Sequence, residues 1–141
     1  MKTVLVFGTF DGVHEGHRAF LREARSLGDH LIAVVAQDAV VEMIKGRRPK
    51  WNILERIEHI QKEDGVNEVV MGDGDLGEWR VLEKYKPNVI ALGYDQTVLK
   101  TELERHFAGR SDAPALRVMR SFEPQKYKSS LLNGLSADLT Q

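Results

Sequence analysis

The chain has 141 residues, with 20 lysines and arginines set against 21 aspartates and glutamates for a net charge of −1, 42% hydrophobic residues and no cysteine. Such a length supports one domain with its own core, and the composition is that of a globular protein rather than a disordered or fibrous one. A near-neutral chain without thiols excludes bulk attraction to nucleic acid, disulfides and cysteine nucleophiles, and accords with a reducing cytoplasm.

In chain order, Lys2-Thr-Val-Leu-Val-Phe7 is short, apolar and β-branched, the pattern of a strand buried on both faces. Its run of about five apolar residues is too short for a signal peptide or a membrane span, so a cytoplasmic protein without a membrane partner is expected. Residues 8–17, Gly-Thr-Phe-Asp-Gly-Val-His-Glu-Gly-His, then form a turn into a helix. That helix spans Arg18 to Leu27, with Ala19, Phe20, Glu23, Ala24 and Leu27 on one mostly apolar face and Gly28 as its C-cap. Strand-to-helix turns of this kind sit at the carboxyl ends of parallel strands, where ligands bind and helix N–H groups attract anions. His14 and His17 fall on one side of the first helical turn, and Gly16 between them lets a bulky ligand approach the backbone. Paired imidazoles there are suited to hydrogen-bonding phosphate oxygens as negative charge builds up.

A second buried strand follows at His30–Ala36, then a short helix over residues 39–44 and the basic loop Lys45-Gly-Arg-Arg-Pro-Lys50. Asn52 caps the next helix, with Glu55 at the third position in a variant of the capping box. That helix carries Arg56, Ile57, Ile60 and His59, the last read as a surface residue. Glu68–Met71 is a short strand near an edge. The acidic Gly72-Asp-Gly-Asp75 that follows lacks the ligand spacing of a calcium loop and is read as a turn. A helix over residues 78–85 ends before Pro87, and Asn88–Leu92 is the fourth strand. Gly93-Tyr-Asp-Gln96 follows it, where glycine admits a flat ring against backbone and Asp95 can accept from a base or ribose. A helix over residues 101–107, with His106 outward, precedes a weak fifth strand over residues 116–119. Arg120 then opens a loop running to Lys126-Tyr-Lys-Ser-Ser130, whose hydroxyls at a helix start are good phosphate donors. Alternating strands and helices argue for an α/β domain, a five-stranded parallel sheet in Rossmann-like winding over residues 1–133, with a C-terminal tail at 134–141.

Gly8-Thr-Phe-Asp11 followed by His14-Glu-Gly-His17 resembles the GTFD and HxGH signature of the nucleotidyltransferase superfamily. That superfamily includes glycerol-3-phosphate cytidylyltransferases, FAD synthetases and phosphopantetheine adenylyltransferases. The resemblance implies attack of a substrate phosphate on the α-phosphate of a nucleoside triphosphate, with pyrophosphate leaving and Mg²⁺ arriving with the nucleotide. It implies catalytic roles for His14, His17 and Lys45, the last gripping the triphosphate with Arg47, Arg48 and Lys50 as alternatives. Nucleotide contacts fall on Thr9, Phe10, Gly16, Arg56, Gly93, Asp95, Arg120, Ser129 and Ser130, and Asp11 is either a nearby carboxylate or the former of an Asx turn. No protein metal site is expected, and a homodimer is common in the resembling family. The Leu-Gly-Tyr-Asp-Gln segment and the Lys-Gly-Arg-Arg-Pro loop look closest to archaeal-type FAD synthetases, making ATP and FMN the first choice of substrates. CTP with glycerol 3-phosphate or another small phosphate-bearing acceptor is the alternative, and a nucleotide-binding module without catalysis a further one. The C-terminal loop departs from the cytidylyltransferase pattern Arg-Thr-Glu-Gly-Ile-Ser-Thr: the spacing after Arg120 is longer and the threonine and glycine are missing.

Overall fold

The structure, a computed structural model, describes residues 1–74 and 78–120. The expected sites at Ser129 and Ser130 and the tail lie outside the described residues. Five strands, β1 (Thr3–Gly8), β2 (His30–Val35), β3 (Glu68–Met71), β4 (Val89–Leu92) and β5 (Ala115–Val118), alternate with helices. The helices are α1 (Glu15–Arg25), α2 (Asp38–Lys45), α3 (Ile53–Gln61), α4 (Arg80–Tyr85) and α5 (Thr97–Phe107). All strand pairs are parallel, in the order β3-β2-β1-β4-β5. The expected five-stranded parallel α/β sheet is therefore the observed one, with β3 on an edge.

The apolar runs of β1 and β2 do not alternate with polar residues because both faces of the sheet are covered. Val4 and Val6 of β1 and Leu31, Ala33 and Val35 of β2 pack with Phe20, Leu21 and Ala24 of α1 and Ile60 of α3. The residues between them, Leu5, Ile32 and Val34, pack on the other face with Val81, Leu82, Leu99 and Leu103 of α4 and α5. Winding starts at β1, proceeds outward through β2 and β3, then returns to place β4 on the other side. The sheet order thus reverses between β1 and β4, and it is outside the carboxyl ends at such a reversal that open parallel sheets bind ligands. No helix among the described residues is long and apolar enough to cross a membrane.

Local differences from the sequence reading have identifiable causes. Helix α1 starts at Glu15, three residues before the expected Arg18, because His14 caps it, and it ends at Ser26 in ordinary right-handed geometry. Gly28 is accordingly not a left-handed C-cap. It is required by close approach, since a Cβ there would lie 2.6 Å from the Lys2 carbonyl oxygen and 2.8 Å from a Val4 methyl. That carbonyl accepts the N–H groups of Asp29 (2.8 Å) and His30 (3.2 Å), which draws the chain onto β1. Helix α5 begins at Thr97, a turn early, because Leu99 is buried and extends the apolar face. His106 is not on an open face: its ring lies 4.7 Å from Phe107 and 5.8 Å from Trp79. A Gly28→Ala substitution forces backbone or Val4 to move and should destabilise the fold by about 1–3 kcal/mol, measured as a shift in the urea midpoint without a change in slope.

Candidate active site

The turn between β1 and α1 is shaped by residues of opposite character. Phe10 adopts a left-handed backbone (φ 54) that is costly for a bulky side chain. Its ring is fully buried and lies where a Cβ on Gly8 would stand, at 2.7 Å. Glycine at position 8 therefore makes room for the aromatic wedge. The ring meets His17 edge-on at a centroid distance of 5.7 Å. Phe10 was expected to contact nucleotide; its side chain instead lies in the core beneath His17, which it supports.

His14 and His17 are brought together as the sequence implied. Their rings stack at 3.9 Å with an interplanar angle of 21°. His14 is the N-cap of α1, its Nδ1 accepting the Gly16 N–H at 3.0 Å, while the His17 Nδ1 accepts the His14 N–H at 3.2 Å. The two form a reciprocal capping box, the arrangement usually made by Ser or Thr with Glu. The N–H of Gly16 is thus bonded within the turn rather than offered to a ligand, and Gly16 itself is buried. An Nδ1 that accepts carries no proton, so each neutral ring is protonated on Nε2. The His14 pKa is lowered from the ordinary value, first by desolvation of the ring and then by the nearby Arg18 cation, with Glu15 opposing. Arg18 is held by Glu63 (3.3 Å) and Glu15 (2.9 Å).

The basic loop is latched to this turn by long-range bonds. Asp11 accepts the N–H groups of Lys50 (2.7 Å) and Trp51 (2.9 Å), one on each carboxylate oxygen. It forms no Asx turn: its oxygens are committed to a strand of chain 39 and 40 residues away. Arg56 completes the latch. Expected at a phosphate or on the surface, it is fully buried, because its guanidinium donates to three partners inside the protein. Nε donates to the Trp51 carbonyl (2.9 Å), one terminal nitrogen to the Thr9 carbonyl (2.8 Å) and the other to Asp38 (2.6 Å). Asn52 and Glu55 form the expected capping box directly before it. His59, read as a surface residue, is half-buried against Trp51 with ring centroids 4.2 Å apart.

Lys45 ends α2, and Gly46 behind it takes the left-handed cap (φ 73). The ammonium's pKa is pushed below the usual lysine value, first by burial, then by the Arg47 charge; Asp11 opposes the fall and Arg56 adds to it. Lys45 therefore stands within electrostatic reach of both members of the latch. Thr9 is buried, with its carbonyl accepting from Arg56. Directly after β4, Gly93 is buried, Asp95 is half-buried, and Tyr94 has its pKa raised by burial and then by Asp95. Arg120 lies at the rim with its backbone N–H held by Glu23 of α1 at 2.8 Å and its side chain exposed. Sequence reading missed Asp38, Trp51 and Gln96. Asp38 carried a signal, an acid directly after a strand's carboxyl end; the other two had none at short range.

Residues 5–133 match the family model described as cytidylyltransferase-like. The chain belongs to that family. It is 37% identical over 132 residues to the FAD synthase of Thermococcus sibiricus, covering 91% of this chain and 84% of that one. With the FAD synthase of Aciduliprofundum boonei it shares 38% over 134 residues, 95% and 85% of the two chains. Among solved structures it resembles the lipopolysaccharide core biosynthesis protein of Thermoplasma volcanium, at a TM-score of 0.78 and 29% identity over 87% of this chain and 99% of that one. A pantoate-beta-alanine ligase from Francisella tularensis, 13% identical at a TM-score of 0.61, shares 84% of this chain and 58% of its own, and shows the fold alone. The turn in which this cytidylyltransferase-like chain stacks its imidazoles lies within the matched residues.

Two outcomes test this geometry. Asp11→Asn keeps one acceptor but turns an amide N–H donor toward a backbone N–H, and should cost about 1–3 kcal/mol in unfolding free energy, read by urea titration. The histidine cap sets a pH dependence. A folded-state pKa below the unfolded one means that the unfolded chain binds the proton more readily. The cap's contribution is then complete above the unfolded histidine value of about 6.5 and is lost as pH falls through the lowered folded value. The Gly16 amide signal should sharpen its exchange and shift over that acid range, as seen by proton–nitrogen NMR, while amides of β4 stay unmoved.

Proposed function

We propose that this chain is an FMN adenylyltransferase that makes FAD from ATP and FMN. The observation that carries the reading is the stacked histidine pair, with both Nδ1 atoms committed to the helix and both protons therefore on Nε2. It is supported by the FAD synthase relatives that align over most of the chain.

In this reading a terminal phosphate oxygen of FMN attacks the α-phosphorus of ATP. The new P–O bond forms as the bond to the β-bridging oxygen breaks, and pyrophosphate leaves with that oxygen. The nucleophile is already an anion, so no general base and no covalent enzyme intermediate are required. What the protein must supply is donors aimed at the charge that grows on the equatorial oxygens. His14 and His17 serve as two neutral N–H donors on adjacent parallel rings. Lys45 neutralises the leaving β- and γ-phosphates, together with Ser129 and Ser130 and aided by Arg47. Gly93 and Asp95 line the base and ribose, and Arg120 meets phosphate from the rim. Arg56 and Thr9 act through the latch, holding the basic loop against the histidine turn.

A divalent cation would have to come with the nucleotide. Among the described residues no group of three or more His, Asp or Glu side chains is arranged to hold one, and the carboxylate nearest the turn, Asp11, is bonded to two amides. Mg²⁺ commonly binds in this manner, through substrate phosphates and water with few protein ligands. Bound so, it would screen the triphosphate charge. The reaction belongs in the cytoplasm, where both substrates are met.

The purified chain should convert ATP and FMN to FAD and pyrophosphate, followed by chromatography of the flavin and a coupled pyrophosphate assay. Turnover of CTP with glycerol 3-phosphate and none of ATP with FMN would reverse the assignment. His14→Ala should retain nucleotide binding and lose about a hundredfold in kcat, the size of one lost transition-state donor. Lys45→Ala should act mainly on KM for ATP. Because the Lys45 pKa is depressed, kcat/KM should fall on the alkaline side at a pH below that of an ordinary lysine, and this limb should vanish in Lys45→Arg.

A further inference from the structure

The ladder between β1 and β4 stops at Val6 and Ala91, whereas β1 stays paired with β2 through Gly8 and Val35. Past Val6, then, the two central strands part, on the line where the sheet order reverses. One side chain spans the opening. Gln96 is buried, its Oε1 accepting the Gly93 N–H at 2.8 Å and its Nε2 donating to the Phe7 carbonyl at 2.9 Å. Its own backbone N–H donates to the Gly93 carbonyl at 3.1 Å, fixing the loop from which it reaches.

A carboxamide is planar and presents an acceptor and a donor, the same pair of functions as a peptide group. Gln96 thus supplies between the parted strands the donor and acceptor that the ladder lacks, and ties their ends together. The residue also occupies the N-cap of α5, where a side chain would ordinarily satisfy a helix N–H, yet it makes no cap bond. The amide is used between the ends of β1 and β4 instead of on its own helix.

We infer that Gln96 is a positioning residue for base selection. By tying the end of β4 to the end of β1 it fixes the turn of Gly93, Tyr94 and Asp95, which the proposed function places at the base and ribose, and so sets the preference for ATP over CTP. This rests on the reading of the chain as an ATP-dependent adenylyltransferase. Gln96 touches no substrate; it acts through the Phe7 carbonyl and the Gly93 amide.

Gln96→Met keeps the volume and removes both bonds. The KM for ATP should rise about tenfold and the ratio of kcat/KM for ATP over CTP should fall by a similar factor, while KM for FMN stays within about twofold. Gln96→Glu keeps the acceptor for Gly93 but sets a second carboxylate oxygen against the Phe7 carbonyl, so it should show the same split at no smaller size. Gln96→Leu, which also lacks both bonds, carries the measurement if circular dichroism finds the Met variant unfolded. An unchanged ATP KM and nucleotide ratio, or equal rises in KM for ATP and FMN, overturns the role. If the unaltered protein makes no FAD from ATP and FMN, the parent reading fails instead. The base ratio is then taken from equilibrium binding of ATP and CTP to the unaltered and Met chains, and an equal ratio in both overturns the inference on its own.

Discussion

Everything at the carboxyl edge of this sheet depends on holding together two loops that have no regular structure of their own. The β1–α1 turn carries the histidines; the basic segment after α2 carries the cations. Asp11 and Arg56 join them through five hydrogen bonds, four of them to backbone groups. Backbone partners make the latch indifferent to side-chain rotamers, so it constrains the path of the chain itself. Burying a guanidinium is unfavourable unless its donors are met and its charge is paired. Arg56 meets both conditions, with two carbonyls and the Asp38 carboxylate, and so it locks the loops only in the one arrangement that satisfies it.

That arrangement concentrates positive charge. Arg56 is fully buried, Lys45 is half-buried, and Arg47 is close enough to depress the Lys45 pKa. Asp11 and Asp38 offset part of the charge, but Asp11 gives its oxygens to neutral amides and Asp38 gives one to Arg56. The field that remains at Lys45 favours a polyanion. A triphosphate entering it would restore the lysine's proton affinity, so binding and protonation reinforce each other. In the proposed function the burial and the Arg47 charge that disfavour the free lysine's proton would be offset by the bound triphosphate.

How much of this was legible in the sequence divides by range. The strand, turn and helix around residues 8–17, the capping box at Asn52 and Glu55, and the edge position of β3 follow from neighbours a few residues apart, and the structure has each of them. Arg56 and Gln96 were read wrongly or passed over because their meaning lies 47 and 89 residues away, at the Thr9 and Phe7 carbonyls. An arginine on an amphipathic helix carries no local mark of burial. Gly28 shows the same limit: glycine after a helix reads as a cap, and only the return of the chain onto Lys2 reveals the crowding that requires it. Phe10 looked like pocket lining because it sits in the motif, yet an aromatic residue in left-handed backbone belongs to the core when a glycine two positions earlier clears its place.

The choice of histidine at both capping positions is itself explained by this geometry. A helix start needs side-chain acceptors turned inward to its N–H groups. Phosphoryl transfer at the same spot needs donors turned outward. Serine and aspartate provide the first, lysine and arginine only the second. Asparagine holds an acceptor and a donor, but on neighbouring atoms of one planar group that face the same end. Imidazole separates them across a ring, so one nitrogen fastens the backbone while the other carries the proton that the proposed transfer would use, with no net charge to be desolvated. The helix cap thereby dictates which nitrogen is protonated, and stacking the second ring on the first at 3.9 Å repeats the device in parallel. In this turn the requirement for folding selects the tautomer that the proposed chemistry would use.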